Sequence, residues 1–171
     1  MEYNFERLQN IFDSIPEGAV DSLIKAIEDH KRIFVYGAGR SGLMLKAFAM
    51  RLAQMGKTVY AVGEVVTPAI ETGDLLILAS ASGTTASVCR NAQIAKEIGA
   101  CIYAITAYAS SPLTYASHLC TIIKAPTKDR AESSSIMGTL FEQALLLFGD
   151  LIIERMGSDV VQMRAKHANL E

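Results

Sequence analysis

The chain has few charged residues and no large excess of either sign. Only 20% of its 171 residues are charged and half are hydrophobic. A chain of this composition can bury enough apolar surface to fold, which excludes an intrinsically disordered protein. The formal net charge of −2 argues against a nucleic-acid partner, since phosphate backbones require clustered Lys and Arg. At this length we expect a single domain over residues 1–171.

Long hydrophobic runs and paired cysteines are also missing. No apolar run approaches the ~20 residues of a membrane span, and the N-terminus lacks the basic and apolar regions of a signal peptide. We therefore expect no membrane partner. The chain has three cysteines and no CxxC pair, which favours reduced thiols in the cytoplasm over a disulfide framework or a zinc site. No two histidines have the spacing of metal ligands, so no metal is expected.

The hydrophobic pattern alternates between strand and helix from residue 31 onward. Apolar runs predict strands at 32–37, 58–63, 75–80, 101–106 and 119–124, and helical periodicity predicts helices at 41–56, 85–98 and 136–156. Two further helices are predicted within residues 1–30, the second capped by Ser14 with Pro16 in its first turn. Continuous apolar strands are typical of a parallel sheet covered on both faces. The predicted fold class is therefore α/β, with a doubly wound five-stranded parallel sheet.

Two loops of small residues follow the first and third predicted strands. The glycine loop is residues 37–42 (GAGRSG), and the hydroxyl loop is residues 80–85 (SASGTT). A small-residue turn between a parallel strand and a helix exposes backbone N–H groups at the positive end of the helix, which suits a phosphate. The hydroxyl loop adds four hydroxyls, more than a helix cap needs. It therefore predicts a pocket for a phosphate monoester.

The glycine loop also has a second interpretation. Gly37, Gly39 and Gly42 fit the pattern GxGxxG, and Glu64 follows 22 residues after Gly42, where a dinucleotide-binding protein places an acidic residue on the ribose. A dehydrogenase normally needs a second, substrate-binding domain, however, and a dinucleotide would leave the hydroxyl loop without a purpose. Glycines required only for a tight turn are a third interpretation.

With both loops in view, the chain resembles the SIS (sugar isomerase) domain family. The phosphate loop of that family, S-x-S-G-E-T, is matched by the hydroxyl loop, with Thr84 in place of the glutamate. The stretches GAGRSGL, FAMRL, MGTLFEQ and HANLE begin at residues 37, 48, 137 and 167. Together they resemble the 6-phospho-3-hexuloisomerase subfamily over about the whole chain.

This resemblance implies a flavodoxin-like sheet, a homotetramer, and no metal or organic cofactor. It implies interconversion of D-arabino-hex-3-ulose 6-phosphate and D-fructose 6-phosphate, in the ribulose monophosphate route of formaldehyde fixation. By family motif, Glu142 would be the proton acceptor. The implied substrate-binding residues are Ser41, Ser80, Ala81, Ser82, Gly83, Thr84 and Thr85. Arabinose-phosphate isomerases of the superfamily use the glutamate that Thr84 replaces, which disfavours that substrate. A non-catalytic sugar-phosphate-binding regulator and an isomerase of another phosphosugar stay as alternatives.

The chemistry of such an isomerase agrees with a glutamate at position 142. Moving a carbonyl from C3 to C2 requires a base that removes a C–H proton and returns it to the neighbouring carbon through a cis-enediol(ate). In the predicted helix, Glu142 projects about 100° away from the polar face that includes Gln143 and Asp150. Partial burial there suits a base. A solvated glutamate that only favours the helix dipole is the alternative.

Four more side chains are candidates for the site. Arg40 and Arg51 could hold the sugar hydroxyls, the phosphate or the enediolate oxygen, and Glu64 could be a second carboxylate on the sugar. His167 lies in a predicted helical tail at residues 158–171, and an imidazole can exchange protons near neutral pH. We predict that His167 completes the active site of an adjacent subunit.

Overall fold

The computed structural model describes residues 5–127, 139–157 and 159–170. Its elements in chain order are α1 (Phe5–Asp13), α2 (Gly18–Asp29), β1 (Arg32–Gly37), α3 (Gly39–Gln54), β2 (Thr58–Ala61), β3 (Leu75–Ala79), α4 (Ala86–Ile98), β4 (Cys101–Thr106), α5 (Pro112–Ala116), β5 (Leu119–Ile122), α6 (Thr139–Arg155) and α7 (Val160–Ala165). The strands form one sheet in the order β2-β1-β3-β4-β5, and all neighbouring pairs are parallel. The predicted α/β fold with a five-stranded parallel sheet is confirmed.

Strand β3 is apolar at every position because it lies in the middle of the sheet. All five of its residues are buried, and successive side chains point to opposite faces of the sheet. Leu75 and Ile77 join the core formed with α1, α2, α3 and α6, whereas Leu76 and Leu78 join the core formed with α4 and α5. Burying each such side chain stabilises the fold by roughly 1.5–3 kcal/mol. The sheet therefore carries a helical layer on each face.

Helices α3 and α6 lie side by side and run in the same direction. Arg40 in the first turn of α3 forms an ion pair with Glu142 in the first turn of α6. Further along both helices, a Cβ atom on Gly149 would lie 3.1 Å from the Phe48 ring. The missing side chain at position 149 thus allows the close packing that brings the starts of the two helices together.

The N-terminal helices differ from the prediction in their connection. Ser14 does not cap α2, because its hydroxyl donates to the Ile11 carbonyl at the end of α1, over 2.7 Å. Pro16 precedes α2, which begins at Gly18, and its carbonyl accepts the Ala19 N–H. A proline carbonyl therefore supplies the acceptor that the sequence pattern assigned to a serine side chain.

Other boundaries differ by one to three residues. Helix α3 begins at Gly39 instead of residue 41. Strand β2 ends at Ala61 because the chain turns there, with the Glu64 N–H bonded to the Ala61 carbonyl and Gly63 at a φ of +100°. Strand β5 ends at Ile122. The predicted helix start at 136 and residues 158 and 171 of the tail lie outside the described residues. Within the described ranges, no helix is long and apolar enough to cross a membrane.

Candidate functional site

The glycine loop and the hydroxyl loop meet where the chain switches from one face of the sheet to the other. Strands β1 and β3 are neighbours, with Gly37 opposite Ala79. Helix α3 leaves β1 on one face, and α4 leaves β3 on the other. In open α/β sheets, ligands bind in the crevice at the carboxyl ends of strands at such a switch point. The fold thus places both predicted loops in one crevice.

The glycines of the glycine loop have a steric reason within the fold. A Cβ atom on Gly37 would lie 2.9 Å from the Gly42 nitrogen, and one on Gly42 would overlap the Gly37 carbonyl. Gly39 has a φ of +57°, which favours glycine. The three residues therefore let α3 begin directly against the end of β1, as the tight-turn interpretation predicts.

Ser41 lies in the first turn of α3, within the glycine loop. It is 8% exposed, and no residue in the described part of the chain forms a hydrogen bond with its hydroxyl. Buried hydroxyls normally have a hydrogen-bond partner. The Ser41 hydroxyl is therefore available to a ligand held at the start of α3.

The hydroxyl loop is organised by its own side chains. Ser80 is buried, its Oγ lies 2.8 Å from Thr85 Oγ1 in a shared hydrogen bond, and it also accepts the Gly83 N–H. Ser82 Oγ accepts from both the backbone N–H and the hydroxyl of Thr84, over 3.3 and 2.9 Å. These contacts fold residues 80–85 into a compact turn. Three of its four hydroxyl residues, Ser82, Thr84 and Thr85, remain partly or fully exposed.

Helix α4 begins at this loop with unsatisfied donors. Thr85 is at the N-cap position, but its side chain does not cap the helix, because it is bonded to Ser80. Among the described residues, no acceptor binds the N–H groups of Ala86, Ser87 and Val88. Free N–H groups and the positive end of the helix dipole favour an anion. The arrangement suits a phosphate group.

The carboxylate of Glu142 lies beside the glycine loop. Glu142 is 9% exposed, and its Oε2 pairs with Arg40 Nε. In the described part of the chain no other hydrogen bond to the Arg40 guanidinium is present, so its terminal nitrogens are available to a substrate oxygen. A base and a cation that can stabilise an oxyanion therefore lie at the same point of the crevice.

Glu64 pairs with a cation other than Arg40. Its Oε1 is 2.5 Å from Lys46 Nζ on the outer face of α3, and this hydrogen bond from Lys46 lowers the pKa of the Glu64 carboxyl. The structure therefore places Glu64 at the same end of the sheet as the loops but engages it with a different cation.

Arg51 and His167 lie at the opposite end of the sheet from both loops. Arg51 is in the last turn of α3, about 16 Å along the helix from Arg40, and bonds to Gln54 Oε1 over 3.1 Å. His167 follows α7, and its neighbour Lys166 lies against Gly56, just beyond α3. Within one chain, the structure does not bring Arg51 or His167 together with the other candidate residues.

Two residues that the sequence analysis missed contact the hydroxyl loop. Thr106 ends β4, and Ser111 caps the short helix α5. Both side chains lie so close to Gly83 that a Cβ atom there would be 2.5 Å from Ser111 Cβ and 3.0 Å from Thr106 Oγ1. The Ser111-Pro112 pair is a recognisable helix start, whereas Thr106 carries no local signal. Within the described ranges, no group of three or more His, Cys, Asp or Glu is placed to hold a metal ion.

Comparisons with known proteins find similarity over nearly the whole chain. The model of the SIS domain family matches residues 26–147. A 3-hexulose-6-phosphate isomerase of Bacillus subtilis (strain 168) is 40% identical, over 99% of this chain and 98% of that protein. A protein of the same name from Mycobacterium gastri is 41% identical, over 87% of this chain and 78% of that protein.

A solved structure agrees with the fold as well as with the sequence. A protein of Methanococcus jannaschii, whose crystal structure was used to infer a function as 3-hexulose-6-phosphate isomerase, superposes with a TM-score of 0.86. It is 35% identical, and the match covers 98% of each chain. Sequence and structure therefore point to the same group of proteins.

Proposed function

Because this chain belongs to the SIS domain family, we propose that it is an enzyme of the kind its relatives are named for, a 3-hexulose-6-phosphate isomerase. It interconverts D-arabino-hex-3-ulose 6-phosphate and D-fructose 6-phosphate. The observation that carries the proposal is one crevice that combines an anion-binding loop with a paired carboxylate. A phosphosugar isomerase needs both, one to hold the phosphate and one to move the proton.

The phosphate binds at the hydroxyl loop and the first turn of α4. Ser82, Thr84 and Thr85 present hydroxyls there, and the unsatisfied N–H groups of α4 add donors aligned with the helix dipole. Ser41 contributes from the neighbouring loop. The sugar chain then extends across the strand ends toward α3 and α6, where its carbonyl region meets Glu142 and Arg40.

Glu142 acts as the base for both proton transfers. Its carboxylate removes the proton from C2, the electron pair forms the C2–C3 double bond, and the C3 carbonyl oxygen becomes the enediolate oxygen. The same proton is returned to C3, and the proton of the C2 hydroxyl moves to the C3 oxygen, so that C2 becomes the new carbonyl and C3 carries a hydroxyl. The Arg40 guanidinium stabilises the negative oxygen of the intermediate, so the step requires no metal or organic cofactor.

A second copy of the chain completes the site. His167 is exposed and lies at the far end of the sheet, so in its own chain it cannot reach Glu142. We propose that the chain is one domain over residues 1–171, with an N-terminal helical part at 1–30 and a tail at 158–171. In a homotetramer, this tail brings His167 to the crevice of an adjacent subunit. Arg51, at the same end, and Glu64, beside the crevice, are weaker candidates for contacts with the sugar.

This reaction would serve formaldehyde fixation by the ribulose monophosphate route in the cytoplasm. The test is an NMR assay of the purified protein with D-arabino-hex-3-ulose 6-phosphate, in which the signals of fructose 6-phosphate should appear. Arabinose 5-phosphate in a parallel sample should stay unchanged. Conversion of arabinose 5-phosphate alone would assign another phosphosugar, and binding of the hexulose phosphate without turnover would assign a sugar-phosphate-binding regulator.

A further inference from the structure

A buried threonine outside the crevice contacts the backbone of the hydroxyl loop. Thr106, at the end of β4, is fully buried, and its hydroxyl donates to the Ala81 carbonyl over 3.3 Å. The same carbonyl accepts the Ala107 N–H over 3.0 Å. The Ala107 N–H alone already gives the Ala81 carbonyl a hydrogen-bond partner. The second donor, the Thr106 hydroxyl, therefore restricts the orientation of this carbonyl further.

The two donors fix the direction of one peptide plane. A trans peptide holds its C=O and N–H groups antiparallel, so a carbonyl of Ala81 directed into the fold turns the Ser82 N–H toward the crevice. No described residue accepts that N–H. The Thr106 hydroxyl therefore restricts the peptide that carries a free donor of the phosphate loop.

The next part of the loop is held in a similar way. The Gly83 carbonyl accepts the Leu113 N–H of α5 over 3.0 Å, which turns the Thr84 N–H away from α5 and toward Ser82 Oγ. Gly83 has a φ of +67°, and a Cβ atom there would lie 2.5 Å from Ser111 Cβ and 3.0 Å from Thr106 Oγ1. The Thr106 hydroxyl therefore lies next to both peptides whose carbonyls are held, Ala81–Ser82 and Gly83–Thr84.

We propose that Thr106 is a positioning residue for phosphate binding. It does not contact the ligand; its hydroxyl holds the Ala81–Ser82 peptide so that the Ser82 N–H is already directed at the phosphate before the ligand arrives. Preorganised donors bind more tightly because less conformational freedom is lost on binding. The inference rests on the proposed function for the identity of the ligand as a phosphosugar.

The experiment compares Thr106→Val, which removes the hydroxyl at nearly constant volume, with Thr106→Ser, which restores it. Thr121→Val is the matched control, because Thr121 is a buried threonine of the neighbouring strand β5 whose hydroxyl pairs with Tyr103 instead of the loop. The Kd of fructose 6-phosphate is measured by calorimetry and the Tm by thermal unfolding. Thr106→Val should weaken binding about 3- to 10-fold, the scale of one hydrogen bond. Thr106→Ser and Thr121→Val should bind as the wild type does.

An unchanged Kd for Thr106→Val would overturn the proposal. So would an equal loss of affinity in Thr106→Ser, because the cause would then be packing and not the hydroxyl. If Thr106→Val does not fold, the same comparison is made between Thr106→Ala and Thr106→Ser. Binding and turnover are measured in separate experiments. A wild-type protein that binds fructose 6-phosphate but does not interconvert it therefore refutes the isomerase, and the Kd values of the variants still decide the role of Thr106. A wild-type protein that does not bind it overturns both.

Discussion

Glu142 is the residue on which the proposed chemistry depends. Its carboxylate is almost buried and pairs with Arg40 Nε, and the other guanidinium nitrogens of Arg40 make no hydrogen bond within the described part of the chain. Glu142→Gln retains the shape of the side chain and its ability to accept a hydrogen bond but cannot accept a proton. We expect kcat to fall by about 10²–10⁴-fold, the scale of general-base catalysis, while the Kd of fructose 6-phosphate changes little. Steady-state kinetics and calorimetry on one preparation measure both quantities.

Glu64→Gln is the matched control for that variant. Glu64 also pairs with a cation and lies at the same end of the sheet, and the hydrogen bond from Lys46 holds its carboxyl pKa below the ordinary value. A group with a lowered pKa is a weaker base. The kcat of Glu64→Gln should therefore stay close to that of the wild type. Normal isomerisation by Glu142→Gln, with loss in Glu64→Gln, would transfer the role of base to Glu64.

Ser82 tests the binding part of the site separately from the chemical part. Its hydroxyl organises the loop through Thr84 and is itself partly exposed. Ser82→Ala should raise KM by about 3- to 10-fold and affect kcat less, because the phosphate is held equally in the ground and transition states. Ser117→Ala is the control and should leave KM unchanged, because Ser117 lies at the C-terminal end of α5 and its hydroxyl donates to the Thr114 carbonyl. An unchanged KM in Ser82→Ala would contradict the assignment of the loop.

At the scale of elements, the sequence predicts best where burial is complete. Strands β1 and β4 were predicted to the residue, and β3 to within one, because apolar side chains on both faces leave a continuous signal. Helix α5 was missed because five residues give too little periodicity. Without α5, nothing in the local pattern indicates that Ser111 supports the phosphate loop. Thr106 could not be found because its role depends on a neighbouring strand.

The length of the predicted helix alone separates Arg51 from the glycine loop. The predicted helix from 41 to 56 already implies that Arg51 lies about 15 Å from the start of that helix, too far from the glycine loop to share a small ligand in one chain. The position of His167 could not be predicted in this way. It depends on the contact of Met163 with the core and of Lys166 with Gly56, which no local pattern encodes.

An ion pair between Arg32 and Asp74 links the beginning of β1 to the segment before β3. Arg32 donates to Asp74 from Nε over 2.8 Å and from Nη2 over 2.6 Å, and Asp74 also accepts the Glu71 N–H over 2.7 Å. The hydrogen bond from Arg32 is the main reason that the pKa of Asp74 is lowered. A carboxyl whose pKa is lower in the folded state contributes stability above its unfolded pKa of about 4 and loses it as the pH falls through the folded value.

Asp74→Asn tests this contribution. At neutral pH the variant should have a free energy of unfolding about 1–3 kcal/mol lower, because the amide keeps only one acceptor oxygen and the hydrogen bond that remains from Arg32 is no longer made to a charged acceptor. The difference should shrink as the pH falls below about 4, because the unfolded chain then binds a proton at Asp74, and it should vanish once the pH is below the lowered pKa of the folded protein, where Asp74 is protonated in both states. Urea unfolding from pH 7 to pH 2.5 measures it. Asp29→Asn is the control, because Asp29 is an exposed carboxylate whose one ion-pair partner among the described residues is Lys25. A constant difference across the range would show that the charge of Asp74 is not the cause.

In the whole molecule, the candidate residues lie at two opposite ends of the sheet. Glu142, Arg40 and the hydroxyl loop lie at the carboxyl ends of the strands, and His167 lies beyond the end of α3. In one chain these groups act at separate places. In a symmetric oligomer, one end of each subunit can complete the crevice of the next.

Subunit mixing distinguishes a shared site from a site within one chain. Glu142→Gln and His167→Ala subunits should each be inactive as separate oligomers. After exchange at equal amounts, a shared site combines Glu142 of one variant with His167 of the other in about a quarter of the crevices, because the two subunits associate at random. Activity should therefore rise toward one quarter of the wild-type value, whereas a site built from one chain regains none. A fully active His167→Ala enzyme would remove the histidine from the mechanism, and no recovery despite exchange confirmed by mass spectrometry would place it in its own chain's site.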